Sequence, residues 1–235
     1  MIVYGRNPVR EAIRGPRTVS VVWATEHAAR EPWLGPAGVE RATAAEIERL
    51  AGSADHQGVC AEVSEYGYAA ADELLEAADA VVVALDQVQD PRNLGAICRV
   101  AECSGAAGVV IGERRAAQVT AAVCRASAGA VEHVPVARVR NLADWLASAK
   151  GSGAWAFGAA PVPDAIRYDQ PDYSGRTVLV LGGEGRGLRP RVAAACDELV
   201  KLPMRGRIGS LNVSAAAAVL LYEILHSGRR LDKGT

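Results

Sequence analysis

Apolar positions along the chain fall into two rhythms. Up to about residue 65 they come in short, mixed pieces. Pro8–Arg14 has the spacing of a short helix, and Val19–Ala24 is a β-branched run with strand character. Thr43-Ala44-Ala45-Glu46 forms a capping box, in which the threonine hydroxyl and the glutamate carboxylate each satisfy a backbone N–H at a helix start. The helix it opens carries Ile47 and Leu50 and stops at Gly52. Gly58–Glu65 alternates Val59, Ala61 and Val63 with polar neighbours, the pattern of a strand with one buried face. The stretch 66–76 begins small and turn-rich and reads as a linker.

From Asp79 the rhythm becomes strand, loop, helix, repeated. Ala80–Leu85 is wholly apolar, as in a strand buried on both faces. Further strands are predicted over Gly108–Ile111, Val134–Val139, Ala154–Ala159, Thr177–Leu181 and Leu199–Leu202. Helices are predicted from an N-cap at Asn93 to Gly105, over Gln118–Ser127 and Leu142–Ala149, and over Leu211–Ser227 with Gly228 as its stop. Such alternation predicts a mostly parallel sheet covered by helices on both faces. The expected organisation is a small α/β domain (1–65), a linker (66–76) and an α/β domain (77–235).

Composition changes this picture little. The chain has 235 residues, half of them apolar and 23% charged, as in an ordinary globular protein. The net charge of −1 speaks against a chain that is basic throughout, yet from Glu184 to Arg207 six basic residues face three acidic ones. Five scattered cysteines without a C-x-x-C pair predict neither a disulfide framework nor a metal site, and fit buried thiols in a reducing compartment. Met1–Arg14 carries charges where a signal peptide needs an apolar run. The runs 80–85 and 215–222 are far short of the roughly 20 residues of a membrane helix. A cytoplasmic protein without membrane contact is expected.

In an open α/β sheet, ligands bind beyond the carboxyl ends of the strands, and three loops stand out there. In the loop 86–99, Arg99 follows Asn93 by six residues. An arginine there holds a phosphate or a developing oxyanion, or else Asn93 merely caps a helix and Arg99 is solvated. Leu181–Leu188 places four glycines in six residues straight after a strand. Neither a dinucleotide fingerprint nor a P-loop fits: counted from Gly183 the third glycine position holds Leu188, counted from Gly185 it holds Pro190, and no Gly-Lys-Ser/Thr occurs. Glu184 suits a ligand bearing a hydroxyl, an amine or a positive charge, unless the loop is only a tight turn. In Leu202–Ser214, Ser210 is an N-cap candidate, and Asn212 would sit in the first helical turn with a specific partner. Arg205 and Arg207 either contact phosphate or belong to a solvated loop.

Taken in order, Asn93…Arg99, Leu181-Gly-Gly-Glu184-Gly-Arg-Gly-Leu188 and Leu202-Pro-Met204…Ser210-Leu-Asn212-Val-Ser214 resemble the three signature motifs of the SpoU/TrmH family of RNA 2′-O-ribose methyltransferases, in the SPOUT superfamily. Val3–Ala12 is similar to the start of the small N-terminal domain found in the branch that methylates guanosine in large-subunit rRNA. The resemblance implies an α/β fold with a trefoil-knotted catalytic domain, preceded by an RNA-binding domain of the ribosomal-protein L-thirty-e type. It also implies S-adenosylmethionine as methyl donor, no metal, a homodimer, and rRNA as substrate. A tRNA ribose 2′-O-methyltransferase and a catalytically silent RNA binder of the same fold stand as alternatives. By the same resemblance the catalytic set is Arg99, Asn93, Glu184, Ser210 and Asn212. Donor contacts fall on Leu181, Gly182, Gly183, Glu184, Leu202, Met204, Ile208 and Leu211, and RNA contacts on Arg6, Arg99, Arg186, Arg205 and Arg207. Arg99 is the family's candidate base; a guanidinium pKa above about 12 favours a charged stabiliser of the alkoxide instead.

Overall fold

The computed structural model describes residues 1–35, 38–183 and 185–228. Glu184, assigned above to catalysis and donor contact, lies outside the described residues.

The N-terminal part runs β1 (Ile2–Tyr4), α1 (Arg6–Arg14), β2 (Val19–Ala24), β3 (Val39–Arg41), α2 (Ala44–Ala51) and β4 (Val59–Val63). Its sheet has the order β1-β4-β2-β3, with β4 antiparallel to β1 and β2, and β3 parallel to β2. The capping box forms as read: the Thr43 N–H donates to the Glu46 carboxylate at 2.7 Å, and the Glu46 N–H to the Thr43 hydroxyl at 3.3 Å. Gly52 ends α2 with φ 63°, a left-handed conformation that favours glycine. In β4, Cys60 is buried along with Val59, Ala61 and Val63, and only Glu62 is exposed, so this strand has two covered faces rather than one.

The second part continues with β5 (Val81–Asp86), α3 (Pro91–Ser104), β6 (Gly108–Gly112), α4 (Ala121–Ala126), β7 (Val136–Val139), α5 (Leu142–Gly151), β8 (Trp155–Ala159), β9 (Ile166–Arg167), β10 (Thr177–Gly182), α6 (Pro190–Ala193), β11 (Glu198–Lys201) and α7 (Val213–Gly228). Among the described residues these strands form one sheet in the order β7-β6-β5-β10-β8-β11-β9, and every pairing is parallel. All seven carboxyl ends therefore lie along one edge. Period-two alternation sorts the strand residues between two layers. Val83, Leu85, Leu179 and Leu181 pack with Ile97 of α3 and Leu220, Leu221 and Ile224 of α7. Val82, Ala84, Val178 and Val180 pack with Trp145 and Leu146 of α5.

Three helix starts differ from the sequence reading, each for a local reason. Asp90, not Asn93, caps α3: its carboxylate accepts the Arg92 N–H at 2.8 Å, and Pro91 takes the first helical position, where its missing N–H costs nothing. Asn93 is buried in the first turn instead. Asn212, not Ser210, sits at the cap of α7, its Oδ1 accepting the Ser214 N–H at 2.9 Å. The helix runs on through Gly228, which was expected to stop it. The helix expected over Gln118–Ser127 is confined to Ala121–Ala126, because Thr120 is extended (φ −129°).

The expected linker is docked against the second sheet. The Tyr66 hydroxyl accepts the Val136 N–H and donates to the Val131 carbonyl, the Tyr68 hydroxyl accepts the Val119 N–H, and Ala69 bridges Ala137 in parallel. Beside it, Arg17 of the N-terminal part makes two hydrogen bonds to the Glu132 carboxylate, one of them 2.8 Å, with both side chains buried. The small sheet is thereby fixed at the β7 side of the large one.

Candidate active site

The glycine-rich loop after β10 folds back on itself. The Gly183 N–H donates to the Asp86 carbonyl at 2.9 Å, and the Gly187 N–H donates back to the Gly183 carbonyl at 3.1 Å. A Cβ on Gly182 would stand 2.2 Å from the Gly187 carbonyl carbon, and one on Gly183 2.5 Å from the Gln87 carbonyl oxygen. These two positions need glycine because backbone passes directly over them. The loop's far end is anchored by Asp86, whose buried carboxylate accepts the Arg189 N–H at 2.8 Å and Arg189 Nε at 2.7 Å.

Beneath this loop, at the carboxyl ends of β8, β10 and β11, lies a cavity of about 450 Å³, within the size range of cofactor pockets. Leu181, Gly182 and Gly183 form one wall, Leu202 and Met204 another, and Ser210, Leu211 and Asn212 a third. Most donor contacts named from the sequence thus share one cavity. Ile208 does not line it and is exposed. The sequence reading missed Ala159, Ala160 and Pro161 after β8, and Val213, Ala216 and Leu220 of α7. The rule that ligands sit beyond strand ends, applied to β8, was the available signal for the first three.

Asn212 ties two motifs together. Its Nδ2 donates to Asn93 Oδ1 at 3.0 Å, while its Oδ1 accepts both the Ser214 N–H and the Ser214 hydroxyl. Both lone-pair and donor sides of the amide are thereby used, so the orientation of the 203–212 segment is fixed against α3. Arg99 behaves differently. It begins the third turn of α3, about 120° around the helix from Asn93, and is exposed and absent from the cavity wall. The arginine therefore does not point back to the loop of its own chain. Arg186, Arg205 and Arg207 are exposed around the cavity mouth, whereas Arg6 is ion-paired with Glu31 in the N-terminal part.

Burial pushes the Cys60 and Cys124 thiols up to about 11 and those of Cys98 and Cys196 up to about 12, well above the range where a thiolate forms at neutral pH, and Cys103 is exposed on α3 away from the cavity. Among the described residues no group of three or more His, Cys, Asp or Glu side chains is placed to hold a metal ion, and no helix is long and apolar enough to cross a membrane.

Fold and site together define an α/β protein with a glycine-walled ligand cavity at the carboxyl edge of a parallel sheet, joined to a small accessory sheet. The chain belongs to the SpoU rRNA methylase family, whose model matches residues 80–222; a second model, for the substrate-binding part of RNA 2′-O-ribose methyltransferases, matches residues 2–69. It is 37% identical, over 94% of both chains, to a TrmH-family tRNA/rRNA methyltransferase of Bacillus subtilis. Its fold matches the SpoU methyltransferase AviRb of Streptomyces viridochromogenes, solved with AdoMet, at TM-score 0.82 and 26% identity, covering 97% of this chain and 91% of that one. An AdoMet-bound rRNA methyltransferase of Sinorhizobium meliloti matches at TM-score 0.81 and 25% identity, over 96% and 86% of the two chains. A TrmH/SpoU tRNA-modifying enzyme of A. aeolicus covers only 66% of this chain and 78% of its own, at TM-score 0.58 and 26% identity.

Proposed function

We propose that the chain transfers a methyl group from S-adenosylmethionine to a ribose 2′-hydroxyl of rRNA, on a guanosine of the large subunit. The observation that carries this reading is the single cavity built from the second and third motif loops, to which Asn93 of the first is tied through Asn212 at 3.0 Å. Its apolar walls at Leu181, Leu202 and Leu220 and its bare glycine backbone suit an adenine ring and the alkyl arms of a sulfonium, and Ser210 and Asn212 offer polar groups at the rim. When bound, the donor supplies a methyl group on a positively charged sulfur, already activated without a metal. The chain's own task is alignment, which is worth roughly 7–11 kcal/mol in well-oriented reactions. Asn93 and Asn212 hold the rim, and Arg99 stays charged and stabilises the ribose oxygen as its proton passes to solvent water.

Because Arg99 faces away from its own cavity, the proposal includes a homodimer in which Arg99 meets a ribose at the neighbouring copy's site. An open apolar stripe on α7, with Val219 42% and Tyr222 43% exposed, supports this. The threading expected of a trefoil knot is part of the same reading, supported by the return of the chain after β11 to pack α7 on α3. The preference for rRNA over tRNA draws on coverage: the rRNA enzyme matches nearly the whole chain, whereas the tRNA enzyme matches two thirds of it.

The test is methyl transfer from labelled donor to unmodified rRNA and to tRNA, with ribose methylation mapped. Arg99→Ala is expected to lower turnover by about 100-fold or more while leaving donor affinity unchanged; near-normal turnover contradicts its role.

A further inference from the structure

Some surface arginines of this chain are held in ion pairs and others are not. In the N-terminal part, Arg10, Arg14, Arg30 and Arg41 are ion-paired with glutamates. Arg92, Arg114, Arg115, Arg138 and Arg140 are all exposed, and none forms an ion pair with a described residue. Strand order explains why they belong together. Arg92 follows β5, Arg114 and Arg115 follow β6, Arg138 lies near the end of β7, and Arg140 comes just after it. All three strands are parallel neighbours, so the five guanidinium groups lie on the sheet's carboxyl edge, beside only Asp90 and Glu113 among acidic residues of these loops. Asp90 is already occupied in capping α3.

The row is held in place. The Ala117 N–H donates to the Val88 carbonyl at 2.9 Å, and Gln89 Nε2 to the Arg115 carbonyl, so the loops after β5 and β6 brace each other. Arg115 sits at φ 56°, a left-handed conformation that an arginine adopts at a cost. The Arg138 guanidinium lies 4.0 Å over the Tyr68 ring, which orients it without neutralising it.

Location gives the row its direction. At its outer end is β7, where Tyr66, Ala69 and the Arg17–Glu132 pair fix the part of the chain that matches the substrate-binding family model. At its inner end is β10, whose glycine loop walls the cavity. Three strand spacings, about 14 Å, separate them. We propose that the carboxyl edge of β5, β6 and β7 is a track for the RNA sugar–phosphate backbone, carrying it from the N-terminal part to the cavity through Arg92, Arg114, Arg115, Arg138 and Arg140. This rests on the RNA-methylating reading above and adds residues outside its three motifs. It also accounts for RNA binding by a chain of net charge −1: local unpaired charge, not the total, meets the phosphates.

The experiment measures binding of an RNA hairpin of roughly 20 base pairs by fluorescence anisotropy across a range of KCl concentrations. R114A/R115A and R138A/R140A are each expected to weaken binding about tenfold or more at moderate salt. Each is also expected to make the plot of log affinity against log salt shallower by about 2, one for each lost phosphate contact. R114K/R115K keeps the charge and is expected to keep the slope. K150A, which removes a lysine at the end of α5 just before β8, on the opposite edge of the sheet, leaves slope and affinity unchanged. Wild-type slopes in both alanine pairs, or an equal loss in K150A, overturn the track. Calorimetry with S-adenosylmethionine on the same proteins separates the two claims: donor binding unchanged in both alanine pairs keeps the cavity reading whatever the slopes show, and its absence in the wild type removes that reading while the slopes still judge the track.

Discussion

Arg17 and Glu132 meet with both side chains out of water, 5% and 0% exposed, whereas Asp86 is wholly buried but its partner Arg189 keeps about half of its side chain in solvent, 47%. The chemistry is the same and the consequences differ. At the seam between the two sheets, neither charge has water to fall back on, so each exists only because the other does. At the glycine loop, the arginine is free to be solvated, and the buried aspartate is also satisfied by a backbone N–H. The first pair fixes where the N-terminal part sits. The second shapes a loop that must approach a ligand closely while leaving its mouth open.

The largest expected effect breaks the seam. Arg17→Ala strands the Glu132 carboxylate in the interior and is expected to lower unfolding stability by about 3–5 kcal/mol, read by urea denaturation. The double change R17M/E132L is expected to recover most of that loss. Gly95→Ala tests the packing behind both regions. Helix propensity alone favours alanine by about 1 kcal/mol, but the new Cβ would stand 2.5 Å from the Ala126 Cβ and 2.9 Å from backbone of α4. Packing is expected to win, with a net loss of about 1–3 kcal/mol. Asp86→Ala is expected to cost less in stability than Arg17→Ala, about 1–3 kcal/mol, because Arg189 turns to water. Its sharper effect is a donor affinity lower by about tenfold as the glycine loop loosens. A larger stability loss for Asp86→Ala than for Arg17→Ala would reverse the comparison.

Much of this was legible in the sequence because the signals were local. The apolar run at 80–85 announced a buried strand and 177–181 a further one, and Thr43-Ala-Ala-Glu46 announced its own helix start. The second and third motif loops share a cavity because strand ends converge, which the alternation of elements already implied, and the first joins them through Asn93 and Asn212. What stayed hidden depends on pairing at a distance. β1, β3 and β9 have two or three residues each, too few to show a period, and exist through their partners β4, β2 and β11. Arg17 and Glu132 lie 115 positions apart, and nothing near either one marks the other. Asn93 and Ser210 looked like caps because their side chains suit the role, but Asp90 stood beside a proline and Asn212 one residue before the helix. The outward direction of Arg99 lay in its face of the helix, which the sequence left open until α3 was seen to pack on α4 and α7. The arginine row required the strand order before five separate residues became one edge.

The central claim is that the loops after β8, β10 and β11 form one cavity for S-adenosylmethionine. Calorimetric titration of the full chain with that compound, beside Gly182→Val, tests it directly. The account predicts saturable heat at one site per chain in the wild type and none in Gly182→Val, whose side chain meets the Gly187 backbone while circular dichroism shows the fold retained. A folded wild type that gives no heat, or a valine variant that binds as the wild type does, would contradict it.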